Sequence, residues 1–194
     1  MPHPSQTCLL IIDMIGEFAF DQSEHLFPAI EHAAERIATL KRCMKKADIP
    51  VIYVNDNFGK WRSDFRGLIT RCLQDGCRGR QIAGMLAPDE DDYFVLKPKH
   101  SAFFATPLEL LLNFLDARHL VLTGIAGNNC VLYTAADAYM REFQVTVPSD
   151  CTVSLDPEAN RTALAHMQET LKADIACSNK VIARISGDTP TLLR

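Results

Sequence analysis

Three residues of this 194-residue chain carry reactive side chains at the ends of apolar runs. Asp13 follows Thr7-Cys-Leu-Leu-Ile-Ile12, Lys97 follows Tyr93-Phe-Val-Leu96, and Cys130 closes Thr123-Gly-Ile-Ala-Gly-Asn-Asn-Cys130 just after the run His119-Leu-Val-Leu. The segment after Cys130 is Ala-rich with apolar residues at helical spacing, so a helix is expected from Asn129 to about Met140. A cysteine where a strand turns into a helix meets unpaired N–H groups and the positive end of the helix dipole, and both stabilise a thiolate. Carboxylate, ammonium and thiol are thus three groups of complementary type, each expected at a strand end.

The elements that would position them alternate along the chain. Apolar, β-branched runs predict strands at 7–12, 50–54, 93–96, 119–123 and 145–147, with a short last one at 174–177. Helices are expected at 28–46, where Ile30, Ala33, Ala34, Ile37, Leu40 and Met44 fall at three- and four-residue steps, and at 106–115 with Thr106 as N-cap. A further helix is predicted over 156–172, capped by Asp156, and a turn or two at 180–185. Between Phe58 and Asp92 the pattern weakens to a long excursion with one short helix near 68–72. Strands alternating with helices imply parallel pairing through right-handed crossovers. The expected fold is therefore α/β: a three-layer α/β/α sandwich with a mostly parallel, Rossmann-like central sheet of about six strands, in one domain spanning 1–194. In such sheets ligands bind beyond the carboxyl ends of the strands, the rim to which Asp13, Lys97 and Cys130 are all assigned.

Composition removes several classes of function. The formal net charge is −4 and no Lys/Arg block interrupts that balance, which excludes a nucleic-acid footprint. No stretch approaches the ~18 apolar residues of a membrane span, and no secretory leader pattern opens the chain. Seven cysteines, an odd number without a C-x-x-C pair, read as free thiols in a reducing compartment and place the protein in the cytoplasm. The first strand ends in Asp13-Met-Ile-Gly16 rather than G-x-G-x-x-G, so a dinucleotide-binding module is not indicated.

Those same residues resemble a family, the isochorismatase-like cysteine hydrolases, which include nicotinamidases and N-carbamoylsarcosine amidohydrolases. Leu10-Ile-Ile-Asp13-Met14 is similar to the family's opening strand with its catalytic aspartate. Val95-Leu-Lys97-Pro-Lys-His-Ser101-Ala-Phe103 resembles the segment with the catalytic lysine, and the role falls to Lys97 rather than Lys99. Leu122-Thr-Gly-Ile-Ala126-Gly-Asn-Asn-Cys130 is similar to the nucleophile turn. The resemblance implies Cys130 as nucleophile, Asp13 as general base and acid, and Lys97 as the cation beside the thiolate. It further implies a cis peptide at Ile125–Ala126 and an oxyanion held by the N–H groups of Ala126 and Cys130. Because a carboxylate raises a neighbouring thiol's pKa, either the lysine and the helix N-terminus outweigh it, or Cys130 and Asp13 share one proton.

The chain also departs from the family pattern. Ile15 stands where a Gln is usual, and Glu17 replaces a shorter acid. Nicotinamidases bind a divalent metal through one Asp and several His after the second strand; here that region reads Asn55-Asp-Asn-Phe-Gly-Lys-Trp61, with no histidine between His32 and His100. No metal and no cofactor are expected, and Asp56 reads as a strand-end cap or an arginine partner. Phe18, Trp61 and Phe103 are candidates for the pocket wall, and His100 reads as a surface residue or a polar pocket group. The expected reaction is metal-independent cleavage of a C–N bond in a small amide, carbamoyl or ureido compound. The alternatives are vinyl-ether hydrolysis of the isochorismatase type and a non-enzymatic module binding a ligand or partner protein. The resemblance implies a homodimer or homotetramer, with the 55–92 excursion as a candidate interface.

Overall fold

The structure is a computed structural model in which residues 6–18, 23–56 and 65–187 are described. The pocket-wall candidate Trp61 and the segment 57–64 around it lie outside the described residues.

Among the described residues, six strands form one parallel sheet. They are β1 (Thr7–Ile12), β2 (Val51–Asp56), β3 (Tyr93–Lys97), β4 (His119–Ile125), β5 (Gln144–Thr146) and β6 (Thr152–Val153). The order is β3-β2-β1-β4-β5, with β6 also on β4. Strand β5 pairs the first half of β4 and β6 its last two residues, so the two lie end to end along one edge. Hydrophobic side chains alternate between the two faces, as a sheet covered on both sides requires. Cys8, Leu10, Ile12, Ile52, Val54, Val95, Leu120 and Leu122 point to one core, shared with α4 (Leu108–Phe114), α5 (Leu132–Met140) and α6 (Pro157–Thr170). Leu9, Ile11, Val51, Tyr53 and Val121 point to the other. That side is covered by α1 (Ser23–Lys46), α2 (Phe65–Cys72), α3 (Arg80–Met85) and α7 (Ser178–Ile185). This is the three-layer arrangement expected from the alternation of elements.

Several local expectations change. Helix α1 begins at Ser23, a turn before Pro28, which sits inside it; a proline early in a helix forfeits one backbone bond and does not mark its first residue. The region 174–177 contributes only an isolated bridge between Asp174 and Thr146, rather than a strand. Helix α3 and the two-residue β6 carry too little apolar periodicity to be read from sequence. The Asp156 cap stands as expected, Oδ1 accepting from the Glu158 N–H (2.9 Å). Helix α4 starts later than expected, with Pro107 at its N-cap position and Thr106 Oγ1 accepting from the Leu108 N–H (3.2 Å). At the opposite end of the sheet from the strand termini, Lys41 lies 2.8 Å from the buried Asp92 and 3.1 Å from Asp89. Lys45 meets Asp91 and Asp92 as well, so this acidic cluster is matched by two lysines. No described helix is long and apolar enough to cross a membrane.

Candidate active site

Parallel pairing delivers the reactive residues to one rim. Asp13 follows β1 directly and takes a left-handed conformation (φ 54°), which turns the chain off the sheet there. Lys97 ends β3 on the same face as Val95, and its ladder partner on β2 is Asp56. The alternation that buries Val95 therefore buries the lysine too: Lys97 is 0% exposed. Its Nζ lies 2.8 Å from Asp13 Oδ2, 3.5 Å from Cys130 Sγ and 3.7 Å from Asp56 Oδ2. The Asp56 N–H donates to Asp13 Oδ1 at 2.7 Å. The structure thus brings Asp13, Lys97 and Cys130 together and adds Asp56, expected as a strand-end cap or an arginine partner. Its signal was the one already used for the others, a charged residue at a strand's carboxyl end.

Cys130 does not begin an α-helix. Gly127–Val131 form a single π turn ahead of α5, closed by the Val131 N–H donating to the Ala126 carbonyl at 3.1 Å. The same carbonyl accepts from Asn129 (3.0 Å). The peptide bond Ile125–Ala126 is cis, at the position that the family resemblance implies. Turns of this type recur at functional sites. Here the turn is braced from both sides. Gly124 has φ +113°, and a Cβ on it would stand 2.0 Å from the Ile12 carbonyl oxygen, so β4 can lie this close to β1 only with glycine there. A Cβ on Gly127 would meet Asn160 Oδ1 at 2.1 Å. Ser154 Oγ accepts from the Asn128 N–H (2.9 Å) and donates to Asn160 Oδ1 (2.8 Å), tying the turn to α6. On the other side, Thr134 Oγ1 donates to the Cys130 carbonyl (2.7 Å) and accepts from the Ala102 N–H (3.0 Å).

The electrostatics decide how the thiol is held at rest. Burial pushes the Cys130 thiol up to about 11, the nearby Asp13 carboxylate adds to the rise, and Lys97 opposes it. Burial also raises the Asp13 carboxyl above its ordinary range, against the pull of Lys97. Burial alone would lower the Lys97 ammonium, but attraction to Asp13 overcomes it and leaves the group raised, hence charged. The lysine does not outweigh burial and Asp13, so the thiol is not ionised in advance. Thiol and carboxyl both stand raised beside a charged lysine, the condition under which Cys130 and Asp13 can share one proton.

The remaining candidates divide. Phe18 is 5% exposed in the core on the α1 side, edge-to-face with Phe27. Phe103 is 6% exposed, against Phe143 and beneath the Arg141 guanidinium, contacts that belong to the α5 core. The two departures from the family pattern lie outside the triad's contacts. Ile15 is fully buried, its carbonyl accepting from Asn55 Nδ2 at 2.6 Å, and Glu17 pairs with Arg71 at 3.4 Å. His100 is exposed, yet its Nδ1 stands 3.9 Å from Cys130 Sγ and its ring stacks on Tyr133.

Comparison with known proteins gives this geometry a context. The chain is 43% identical over 176 residues to the isochorismatase family protein YaaI of Bacillus subtilis, an alignment covering 91% of this chain and 96% of that one. Among solved structures, an isochorismatase-like hydrolase from Alkaliphilus metalliredigens superposes with a TM-score of 0.74 at 25% identity, over 93% of this chain and 99% of that one. An N-carbamoylsarcosine amidase from Thermoplasma acidophilum shares the fold (TM-score 0.69, 22% identity, 90% of this chain and 98% of that one). The family model described as the isochorismatase domain matches residues 7–179, from the first residue of β1 into α7. The chain therefore belongs to the isochorismatase family and is a hydrolase of that family.

Proposed function

We propose that the protein is a cysteine hydrolase that cleaves a C–N bond in a small amide, carbamoyl or ureido compound through a Cys130 thioester. One observation carries the reading: a fully buried lysine touches both the carboxylate and the sulfur, at 2.8 and 3.5 Å. A buried ammonium is costly unless paired, and an Asp–Lys pair alone would satisfy it without a thiol at its side. In the proposed cycle Asp13 takes the Cys130 proton as the sulfur attacks the carbonyl, Lys97 stabilises the thiolate, and Asp13 returns the proton to the leaving amine. The N–H groups of Ala126 and Cys130 are assigned to the oxyanion. Support for the substrate class comes from relatives. A ureidoacrylate amidohydrolase of Enterobacter is 39% identical over 89 residues, which cover 45% of this chain and 39% of that one.

No metal and no cofactor enter this reading, because the segment after β2 supplies no histidine. We assign the protein to the cytoplasm on its seven free cysteines and to a homodimer or homotetramer in which 1–194 forms one unit. The test is release of ammonia or amine from a panel of small amides, N-carbamoyl and ureido compounds by wild type, Cys130→Ala and Cys130→Ser. The expected result is a loss of about 1,000-fold or more in both variants with an acyl group trapped on wild-type Cys130. Hydrolysis that survives in Cys130→Ala at the wild-type rate contradicts the thioester route and favours vinyl-ether or other acid-catalysed chemistry.

A further inference from the structure

The Cys130 sulfur has a third polar neighbour whose surroundings differ from those of Asp13 and Lys97. Lys97 is fully buried and the Asp13 side chain is 15% exposed, whereas His100 is exposed, with Nδ1 3.9 Å from the sulfur. Both oxygens of Asp13 are engaged in the resting site, Oδ2 by Lys97 and Oδ1 by the Asp56 N–H. Water that hydrolyses a thioester on Cys130 has to arrive from solvent, and on that side the sulfur faces His100.

His100 is held in place by the same helix that follows the nucleophile. Its ring stacks on Tyr133 of α5, with centroids 5.6 Å apart and planes at 24°. The next residue, Ser101, hydrogen-bonds the Asp137 carboxylate of α5. The residue after it, Ala102, donates to Thr134 Oγ1, the hydroxyl that in turn donates to the Cys130 carbonyl. One threonine thus fixes the segment carrying the imidazole to the turn carrying the thiol. Such stitching is what a side chain needs to act on a reacting atom reproducibly.

We propose that His100 is a catalytic residue of the second half-reaction, the base that activates water against the Cys130 thioester. The proposal rests on Cys130 being the nucleophile. As the water oxygen bonds to the acyl carbon, its proton passes to the imidazole nitrogen facing the sulfur. Collapse of the tetrahedral intermediate breaks the C–S bond and leaves the electron pair on sulfur. The imidazolium then returns the proton to Sγ. Thioester and water become carboxylic acid and thiol, with no change of oxidation state. Imidazole suits this exchange because one ring nitrogen can accept a proton while the other carries one. Labour is thereby divided: Asp13 handles the thiol and amine protons during acylation, and His100 handles the water proton during deacylation.

The experiment uses p-nitrophenyl acetate as acyl donor, so that the two half-reactions separate. Release of p-nitrophenolate reports acylation, and intact-mass spectrometry after rapid desalting reports loss of the acetyl group from Cys130. In His100→Gln deacylation is expected to slow by about 100-fold, acylation far less, and added imidazole to restore acetyl loss. Deacylation at the wild-type rate in His100→Gln overturns the proposal. So does an equal slowing of both steps that imidazole does not rescue, which would make His100 a packing residue. If wild type releases p-nitrophenolate with no acetyl found on Cys130, the nucleophile assignment fails and the role of His100 falls with it.

Discussion

Replacing Asp13 by asparagine is expected to make the Cys130 thiol more reactive while abolishing turnover. Burial and the Asp13 carboxylate raise the Cys130 thiol, and Lys97, 3.5 Å from the sulfur, opposes that rise. Two like charges 4 to 6 Å apart repel by about 3–4 kcal/mol at an effective dielectric of ~20, or roughly two to three pKa units. Removing that repulsion should bring the thiol down from about 11 by roughly two units, with burial still holding it up. Lys97 would remain beside the thiolate. The thiolate fraction at pH 8 then rises about 100-fold, and the lower nucleophilicity of a less basic thiolate returns roughly a factor of ten. The assay is the second-order rate of iodoacetamide alkylation at each cysteine, resolved by peptide mass spectrometry, for wild type and Asp13→Asn between pH 6 and 10. Cys130 should alkylate about tenfold faster at pH 8 in the variant, with the other six cysteines unchanged. Acetyl transfer from p-nitrophenyl acetate can then still occur, but cleavage of an unactivated amide should fall by about 1,000-fold or more, since no acid remains to protonate the leaving amine. A variant that alkylates at the wild-type rate or more slowly refutes the shared-proton description of the pair.

Further expectations come from the same geometry. Amide hydrolysis should rise with pH through an acid limb above the usual carboxylate range, because burial raises Asp13, and decline near 11 as the Cys130–Asp13 pair loses its last proton; a pH–rate profile checks both limbs. Since the folded state binds the Asp13 proton more tightly than the unfolded chain, this group's contribution to stability falls as pH climbs from its ordinary 3.8 through the raised value. Asp13→Asn should therefore remove that part of the slope from urea midpoints measured against pH. Lys97→Met should slow Cys130 alkylation at pH 9 by about 100-fold, whereas Lys97→Arg keeps the charge and should lose far less; equal loss in both would argue for shape rather than charge. Asn160→Ala strips Ser154 Oγ of its acceptor and should cost about 1–2 kcal/mol in urea unfolding, with slower Cys130 acylation as the turn loosens. Gly124→Ala places a methyl group 2.0 Å from the Ile12 carbonyl at φ +113° and should yield little folded protein by circular dichroism.

The layer architecture and the three reactive residues were legible in the sequence for the same reason. Doubly covered parallel strands need uninterrupted apolar runs, and the first charged or reactive residue after each run, whether Asp13, Lys97 or Cys130, falls on the rim where the proposed site lies. Asp56 obeyed that rule and was passed over because a strand-end acid has ordinary uses. The π turn could not be read, because its one-residue difference from an α-helix leaves no compositional trace. Phe103 is a pocket-wall candidate on aromatic type alone, and its Arg141 and Phe143 partners, about forty residues away in the chain, could not be read beside it. His100 is the converse: an exposed histidine by composition, drawn to the sulfur by a threonine thirty-four residues further on.

The π turn at Gly127–Val131 also sets a counting rule on this stretch of chain. Its closing bond spans five residues, from Ala126 to Val131, where an α-turn would span four. Each residue of a helix advances the side chains by about 100°. Deleting Asn128 or Asn129 would let the turn close as an ordinary helix and swing the thiol by about that angle, off the line to Lys97, with every side chain of the triad still present. Alignment at this site is therefore stored as chain length rather than as residue type, and substitution scans along 127–131 will report it less faithfully than a single-residue deletion.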